Sequence, residues 1–326
     1  MIKMAFFDTK PYDKVWFDKL KDQYGISIKY FESKLNSDSA VMTKGYDGVI
    51  AFVNDDLDKD TLNEMCNQNI KLIALRCAGY NNVDLKYAKD KITIVRVPKY
   101  SPYAVAEHTI GLLLCLNRRI HRAYIRTKDF NFSLNGLTGF DLKGKTVGVI
   151  GTGKIGQVFI DICKGFGMKV LAYDIYPSCP DTEYTDIDTI CKESDIISLH
   201  CPLTKETKHI INKNTIEKMK QGVYILNTSR GALINSDDLA ESLKSGKIGG
   251  AALDVYEEES DIFFEDKSTE IINDDTLRIL LSLPNVVITS HQAFLTNEAL
   301  ENIARVTLEN IYNFFEKNTV QNKVEG

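Results

Sequence analysis

The chain has 326 residues and 44% apolar content, which suits two domains of about 100–200 residues each. Its 45 acidic and 40 basic residues leave a formal charge of −5 with no dense Lys/Arg run, so nucleic acid is excluded as an expected partner and any anionic substrate must be held by local positive charge. Seven scattered cysteines without a CxxC pair read as reduced thiols of a cytoplasmic protein with no metal site. The apolar run Ile110 to Leu116 is far short of the roughly 20 residues a bilayer needs, and Met1 to Asp8 has no cleavage signal, so a soluble protein is expected, with no membrane partner.

Short β-branched or aromatic runs alternate with amphipathic segments, the pattern of a parallel α/β protein. In the first hundred residues the expected strands are 2–7, 26–31, 46–52, 71–76 and 92–97, with helices over 11–23, 58–68 and 84–90. At Ser101-Pro102 an N-cap and a first-turn proline announce a helix whose apolar face runs to about Tyr124, a natural crossing between domains. After a loop at 131–139 come strand 146–150, helix 154–166, strand 169–173, helix 187–192, strand 195–199, helix 214–220, strand 223–228, helix 236–245, strand 249–254 and strand 286–290. The segment 258–275 reads as a long excursion. The last helix, 297–315, has no strand after it and is expected to return to the first domain.

Three side chains fall where apolar strands end: Arg230 after 223–228, Asp254 closing 249–254, and His291 after 286–290. In an open parallel sheet, ligands bind in the crevice outside the carboxyl ends of the strands. The planar fork of Arg230 suits the carboxylate and carbonyl of a 2-oxo acid. A carboxylate on one ring nitrogen of His291 would fix its tautomer and favour the charged form, leaving the other nitrogen to deliver a proton. Glu259 is suitably placed in sequence, but its neighbours Glu257 and Glu258 make a solvated acidic run an equal reading. Upstream, Gly151-Thr152-Gly153-Lys154-Ile155-Gly156 lies between a strand and a helix, with Asp174 ending the next strand. The glycines permit the tight turn, backbone approach to a pyrophosphate and close helix packing. Asp174 would accept the ribose hydroxyls and repel a 2′-phosphate, which favours NAD over NADP. Ala78-Gly79, past another strand, could turn backbone N–H groups toward a carboxylate, or could be an ordinary turn.

Taken in order, these segments together with Asn227-Thr228-Ser229-Arg230-Gly231, Leu253-Asp254-Val255-Tyr256-Glu257, His291-Gln292-Ala293-Phe294 and Val97-Pro98-Lys99-Tyr100-Ser101-Pro102 resemble the D-isomer-specific 2-hydroxyacid dehydrogenases. The resemblance runs the full length and is strongest to the branch of bacterial fermentation that forms D-lactate. It implies that Arg230 is the catalytic arginine, Glu259 the histidine-pairing glutamate and His291 the acid/base. It also implies that Cys201, Pro202, Thr207, Thr228 and Ser229 line the cofactor beside Arg230, with Asp254 near the nicotinamide. Phe52, Tyr100 and Phe294 correspond to residues around the substrate side chain, with Ala78 and Gly79 at its carboxylate. The family's formate dehydrogenases carry Gln in place of the glutamate, so Glu259 argues against that branch.

The expectation is therefore two Rossmann- or flavodoxin-like α/β domains with a cleft between them: a substrate domain of residues 1–101 and 298–326 and an NAD-binding domain of residues 102–297. NADH would reduce a small 2-oxo acid, pyruvate foremost, and the D stereochemistry rests on the resemblance. A homo-oligomer, dimer or tetramer, is expected. The alternatives are a dehydrogenase for longer or aromatic 2-oxo acids, such as 2-oxoisocaproate or phenylpyruvate, and an NAD-sensing binding protein on the same scaffold.

Overall fold

The computed structural model describes residues 1–259 and 262–325. The chain divides into two units, Met1–Ser101 with Phe294–Gly326, and Pro102–Ala293. In the first unit, β1 (Ile2–Phe6), α1 (Pro11–Leu20), β2 (Ile26–Tyr30), β3 (Gly48–Ala51), α2 (Lys59–Asn67), β4 (Leu72–Leu75), α3 (Leu85–Ala88) and β5 (Thr93–Val95) follow in order. Every residue of β3 and β4 is buried, so these strands read as unbroken apolar runs, as strands covered on both faces do. Helix starts follow the caps: Asp58 accepts from Thr61 N, and Asp84 accepts from Tyr87 N. The five strands are parallel in the order β2-β1-β3-β4-β5, the flavodoxin-like arrangement with its switch point between β1 and β3.

The second unit opens with α4 (Pro102–Arg118) and α5 (Ile120–Lys128). The single helix expected as far as Tyr124 is thus two helices. Arg119 sits between them at φ 51°, a left-handed conformation that ends the i→i−4 ladder and redirects the chain. Leu112, Leu113 and Leu116 of α4 bury against sheet residues Val147, Val149, Leu226 and Ala252, each worth about 1.5–3 kcal/mol of transfer energy. There follow β6 (Thr146–Ile150), α6 (Lys154–Gly165), β7 (Lys169–Tyr173), β8 (Glu183–Tyr184), α7 (Ile187–Glu193), β9 (Ile196–Leu199), α8 (Lys213–Lys218), β10 (Val223–Asn227), α9 (Ser236–Lys244), β11 (Ile248–Leu253), α10 (Asp275–Ser282) and β12 (Val286–Ile288). Their order is β12-β11-β10-β9-β6-β7-β8, all parallel. Counted from β6, this is the Rossmann order 3-2-1-4-5-6 with a seventh strand added beside the sixth.

The structure adds β8 and α10 to the expected elements, and the excursion expected at 258–275 lies partly outside the described residues. The last helix, α11 (Asn297–Glu316), starts at the Thr296 cap and buries Ala304, Leu308 and Ile311 among Phe6, Ile50, Leu72 and Val95 of the first unit.

Candidate active site

Because every strand of the second unit's sheet is parallel, their carboxyl ends lie along one edge, and that edge carries the chemically useful side chains. At the β6/β9 switch point, Gly151 has φ 98°, and a Cβ there would sit 2.5 Å from Cys201 N. A Cβ on Gly156 would lie 2.1 Å from Gly151 O, so this helix packs on its strand only as glycine. At Gly153 a Cβ would meet nothing within 4 Å. Gly153 and Lys154 are exposed and Ile155 half-buried, at the N-terminus of a twelve-residue helix. Open space over a bare backbone at a helix N-terminus fits a pyrophosphate.

Asp174, just past β7, is half-buried. Its Oδ2 accepts from Thr152 N at 2.6 Å and Thr152 Oγ1 at 3.1 Å, and its Oδ1 accepts from Tyr176 N at 2.8 Å. The glycine turn thus holds the carboxylate in place, and the lone pairs left over can take ribose hydroxyls. Past β9, the loop Cys201 to Thr207 is closed by Thr207 Oγ1 donating to Pro202 O at 2.7 Å. Burial pushes the Cys201 thiol up to about 11, so it stays neutral. Ser229 Oγ donates to Cys201 O at 2.7 Å and ties the β9 and β10 loops together.

Thr228 is pinned by Thr109 of α4, oxygen to oxygen at 2.8 Å. Arg230 is half-buried. Its loop is shaped by Asn227, whose Oδ1 accepts from Ser229 N and whose Nδ2 donates to Arg230 O. The guanidinium donates one bond to Ser229 O at 2.7 Å.

His291 and Glu259 are brought together. His291 Nδ1 lies 2.7 Å from Glu259 Oε1, and Tyr256 N donates to the other carboxylate oxygen at 2.8 Å. The two side chains are 22% and 23% exposed, so the pair is partly enclosed and still accessible. The acidic run is therefore divided in its work: Glu257 pairs with His209 Nε2 at 2.5 Å, Glu258 is exposed, and Glu259 holds His291.

His291 itself is left-handed, φ 53°, and the turn that imposes this is built on Asp254. The Asp254 carboxylate is fully buried and accepts from Thr289 Oγ1 at 2.5 Å, Gln292 N at 2.9 Å and Ala293 N at 2.8 Å, while its carbonyl accepts from His291 N. Its oxygens are engaged by the loop they shape, so its visible part is to position His291. Thr289, and His108 at 3.4 Å from Asp254, belong to this support. Neither stands out in the sequence, since a threonine in a strand tail and a histidine in an apolar helix carry no pattern of their own.

The remaining expected residues lie in the first unit. Phe294 has ring neighbours Tyr12 and Tyr100, each 6.4 Å away between centroids. Phe52 follows β3 and is buried. The Ala78-Gly79 turn is held by Arg96, which donates to Ala78 O at 2.8 Å.

A Rossmann sheet with a pyrophosphate-ready turn and a carboxylate-braced imidazole on the same edge is the equipment of a nicotinamide-dependent dehydrogenase. Residues 110–293 match the family described as "D-isomer specific 2-hydroxyacid dehydrogenase, NAD binding domain". The chain is 51% identical to the D-lactate dehydrogenase of Escherichia coli (strain K12) over 99% of its own length and 100% of that protein. Among solved structures it is similar to the apo D-lactate dehydrogenase of Escherichia coli, with TM-score 0.91, 48% identity, and 99% and 100% of the two chains covered. It is also similar to the D-lactate dehydrogenase with NAD+ from Lactobacillus jensenii, with TM-score 0.83, 30% identity and full coverage of both chains. The chain belongs to the D-isomer-specific 2-hydroxyacid dehydrogenases, and NAD is its cofactor.

Proposed function

We propose that the chain reduces pyruvate to D-lactate with NADH, reversibly, and that the observation carrying this reading is the 2.7 Å contact between His291 Nδ1 and Glu259 Oε1. NADH, when bound, supplies a hydride to C2 of the 2-oxo acid. Arg230 holds the substrate carboxylate and polarises the carbonyl with its planar fork. Glu259 keeps the imidazole in the tautomer and orientation in which Nε2 gives its proton to the forming alkoxide, and in reverse neutral His291 removes it. Asp254 holds His291 in place through the 289–293 turn. The glycine turn 151–156 takes the pyrophosphate and Asp174 the adenosine ribose, with Cys201, Pro202, Thr207, Thr228 and Ser229 beside the cofactor. Phe52, Tyr100 and Phe294 wall the substrate's methyl group, with Ala78 and Gly79 at its carboxylate.

The identity with the Escherichia coli protein over the whole chain supports pyruvate as the substrate. No helix among the described residues is long and apolar enough to cross a membrane. The seven cysteines, none in a disulfide among the described residues, support a cytoplasmic enzyme. A second copy of the chain is proposed as the partner of the exposed apolar side chains Ile120, Tyr124, Ile125, Phe130, Phe132 and Leu134. The test is the reaction itself: NADH oxidation by pyruvate, followed by chiral separation of the product. D-Lactate alone is expected, and L-lactate or no turnover overturns the reading.

A further inference from the structure

Arg76, directly past β4, is buried although it carries a full charge. Its Nη1 lies 3.2 Å from Asp13 Oδ1, and its Nη2 donates to Asp8 O at 2.9 Å. Asp13 is itself fixed, because its other oxygen accepts from Lys10 N at 2.9 Å in the first turn of α1. The flat face of the guanidinium lies over the Phe52 ring, its central carbon 3.8 Å from the ring centroid. The backbone of Phe52 is held at both ends: its N–H donates to Asp55 Oδ2 at 2.6 Å, and its carbonyl accepts from Asn82 Nδ2 at 2.9 Å. Asp55 is anchored in turn by Leu35 N at 2.7 Å. With the backbone fixed, the ring's remaining freedom is torsional, and the guanidinium occupies one of its faces.

A buried ion pair is often no more stabilising than an apolar pair of the same volume. What arginine adds here, and leucine or lysine would not, is a planar cation that selects one ring orientation. We propose that Arg76 is a positioning residue for substrate selection: stacked on Phe52, it fixes how large a 2-oxo acid side chain the enzyme admits. The proposal rests on the reading of Phe52 as a wall of the substrate pocket. Removing the brace lets the ring rotate away, so pyruvate loses contact and larger side chains gain room.

Two variants test it. Arg76→Lys keeps the charge opposite Asp13 and loses the flat face. Arg76→Met combined with Asp13→Asn removes the ion pair as a unit, while Asp8 keeps Lys10 at 2.8 Å and Asp55 keeps the backbone donors of Leu35 and Phe52. In both, the NADH dissociation constant should match wild type. The ratio of kcat/KM for pyruvate to that for 2-oxoisocaproate should fall about tenfold, chiefly through a higher KM for pyruvate. Phe52→Leu, measured in parallel, should narrow the same ratio, and adding Arg76→Lys to it should shift the ratio no further. If Phe52→Leu narrows the ratio while both Arg76 variants keep the wild-type value, Arg76 is only structural and the proposal fails. If Phe52→Leu itself changes nothing, the reading of Phe52 fails and the proposal with it.

Discussion

At the scale of single residues, the proton-transfer pair makes the sharpest demands. His291→Ala should lower kcat by roughly 10²–10⁴-fold, the usual worth of a positioned acid/base, with NADH binding preserved. Stopped-flow binding beside steady-state rates separates the two effects. Glu259→Gln should lower kcat for pyruvate reduction with NADH binding preserved, because the imidazole loses the carboxylate that fixes its tautomer and orientation. A wild-type kcat removes Glu259 from the mechanism. Arg230→Lys keeps charge without the fork, so both KM and kcat for pyruvate should worsen. The sequence alone could place Arg230 and His291, since each follows an apolar run that ends at a sheet edge. Spacing alone left Glu259 even between a histidine partner and a solvated acidic run, because partner choice depends on a loop that only folding defines, and the family resemblance is what singled it out. Arg76 and Asp13 were illegible as a pair, since nothing in their spacing says that β4 and α1 bring them together.

At the scale of elements, the strands were legible from apolar runs and the start of α4 from Ser101-Pro102, while Asp58, Asp84 and Thr296 cap their helices in the structure. The break at Arg119 was not, because a left-handed arginine leaves no mark in the apolar periodicity on either side. The helix α10 was missed although Asp274 caps it by accepting from Leu277 N, a signal of the same kind as those used elsewhere.

The β9–α6 packing gives an element-level prediction. His200, just past β9, is half-buried and packs against Phe159 of α6, and desolvation pushes its imidazole down to about 3. Its folded pKa lies below the unfolded value of 6.5, so the unfolded chain binds a proton that the folded one refuses. The associated stability is complete above pH 6.5 and drains away as the pH falls toward about 3. Between pH 7.5 and 5.0 this one group should cost roughly 2 kcal/mol, at about 1.4 kcal/mol per pH unit below the unfolded pKa. Urea unfolding of wild type and His200→Asn at both pH values reads it. An equal loss in both proteins would contradict the assignment.

At the scale of the whole molecule, two parallel sheets each supply an edge of loops, and Asp174, Arg230, Glu259 and His291 all lie on loops of the second. Asp174, fixed by Thr152, should make NADH strongly preferred. Asp174→Ala should narrow the ratio of kcat/KM for NADH to that for NADPH, and equal use of both by wild type would sink the assignment. Phe132→Asp combined with Leu134→Asp should lower the molar mass in light scattering if a second copy covers the apolar stretch that includes Phe130, which is 84% exposed. The chain is proposed to reduce a small 2-oxo acid in a pocket sized for a methyl group. That size limit is tested most directly by the specificity constants of the wild-type enzyme for pyruvate, 2-oxoisocaproate and phenylpyruvate with NADH. Overpacking an aromatic wall costs about 1–3 kcal/mol, so pyruvate should lead by roughly one to two decades. A higher kcat/KM for 2-oxoisocaproate or phenylpyruvate would contradict the account and move the enzyme to the family's longer-chain branch.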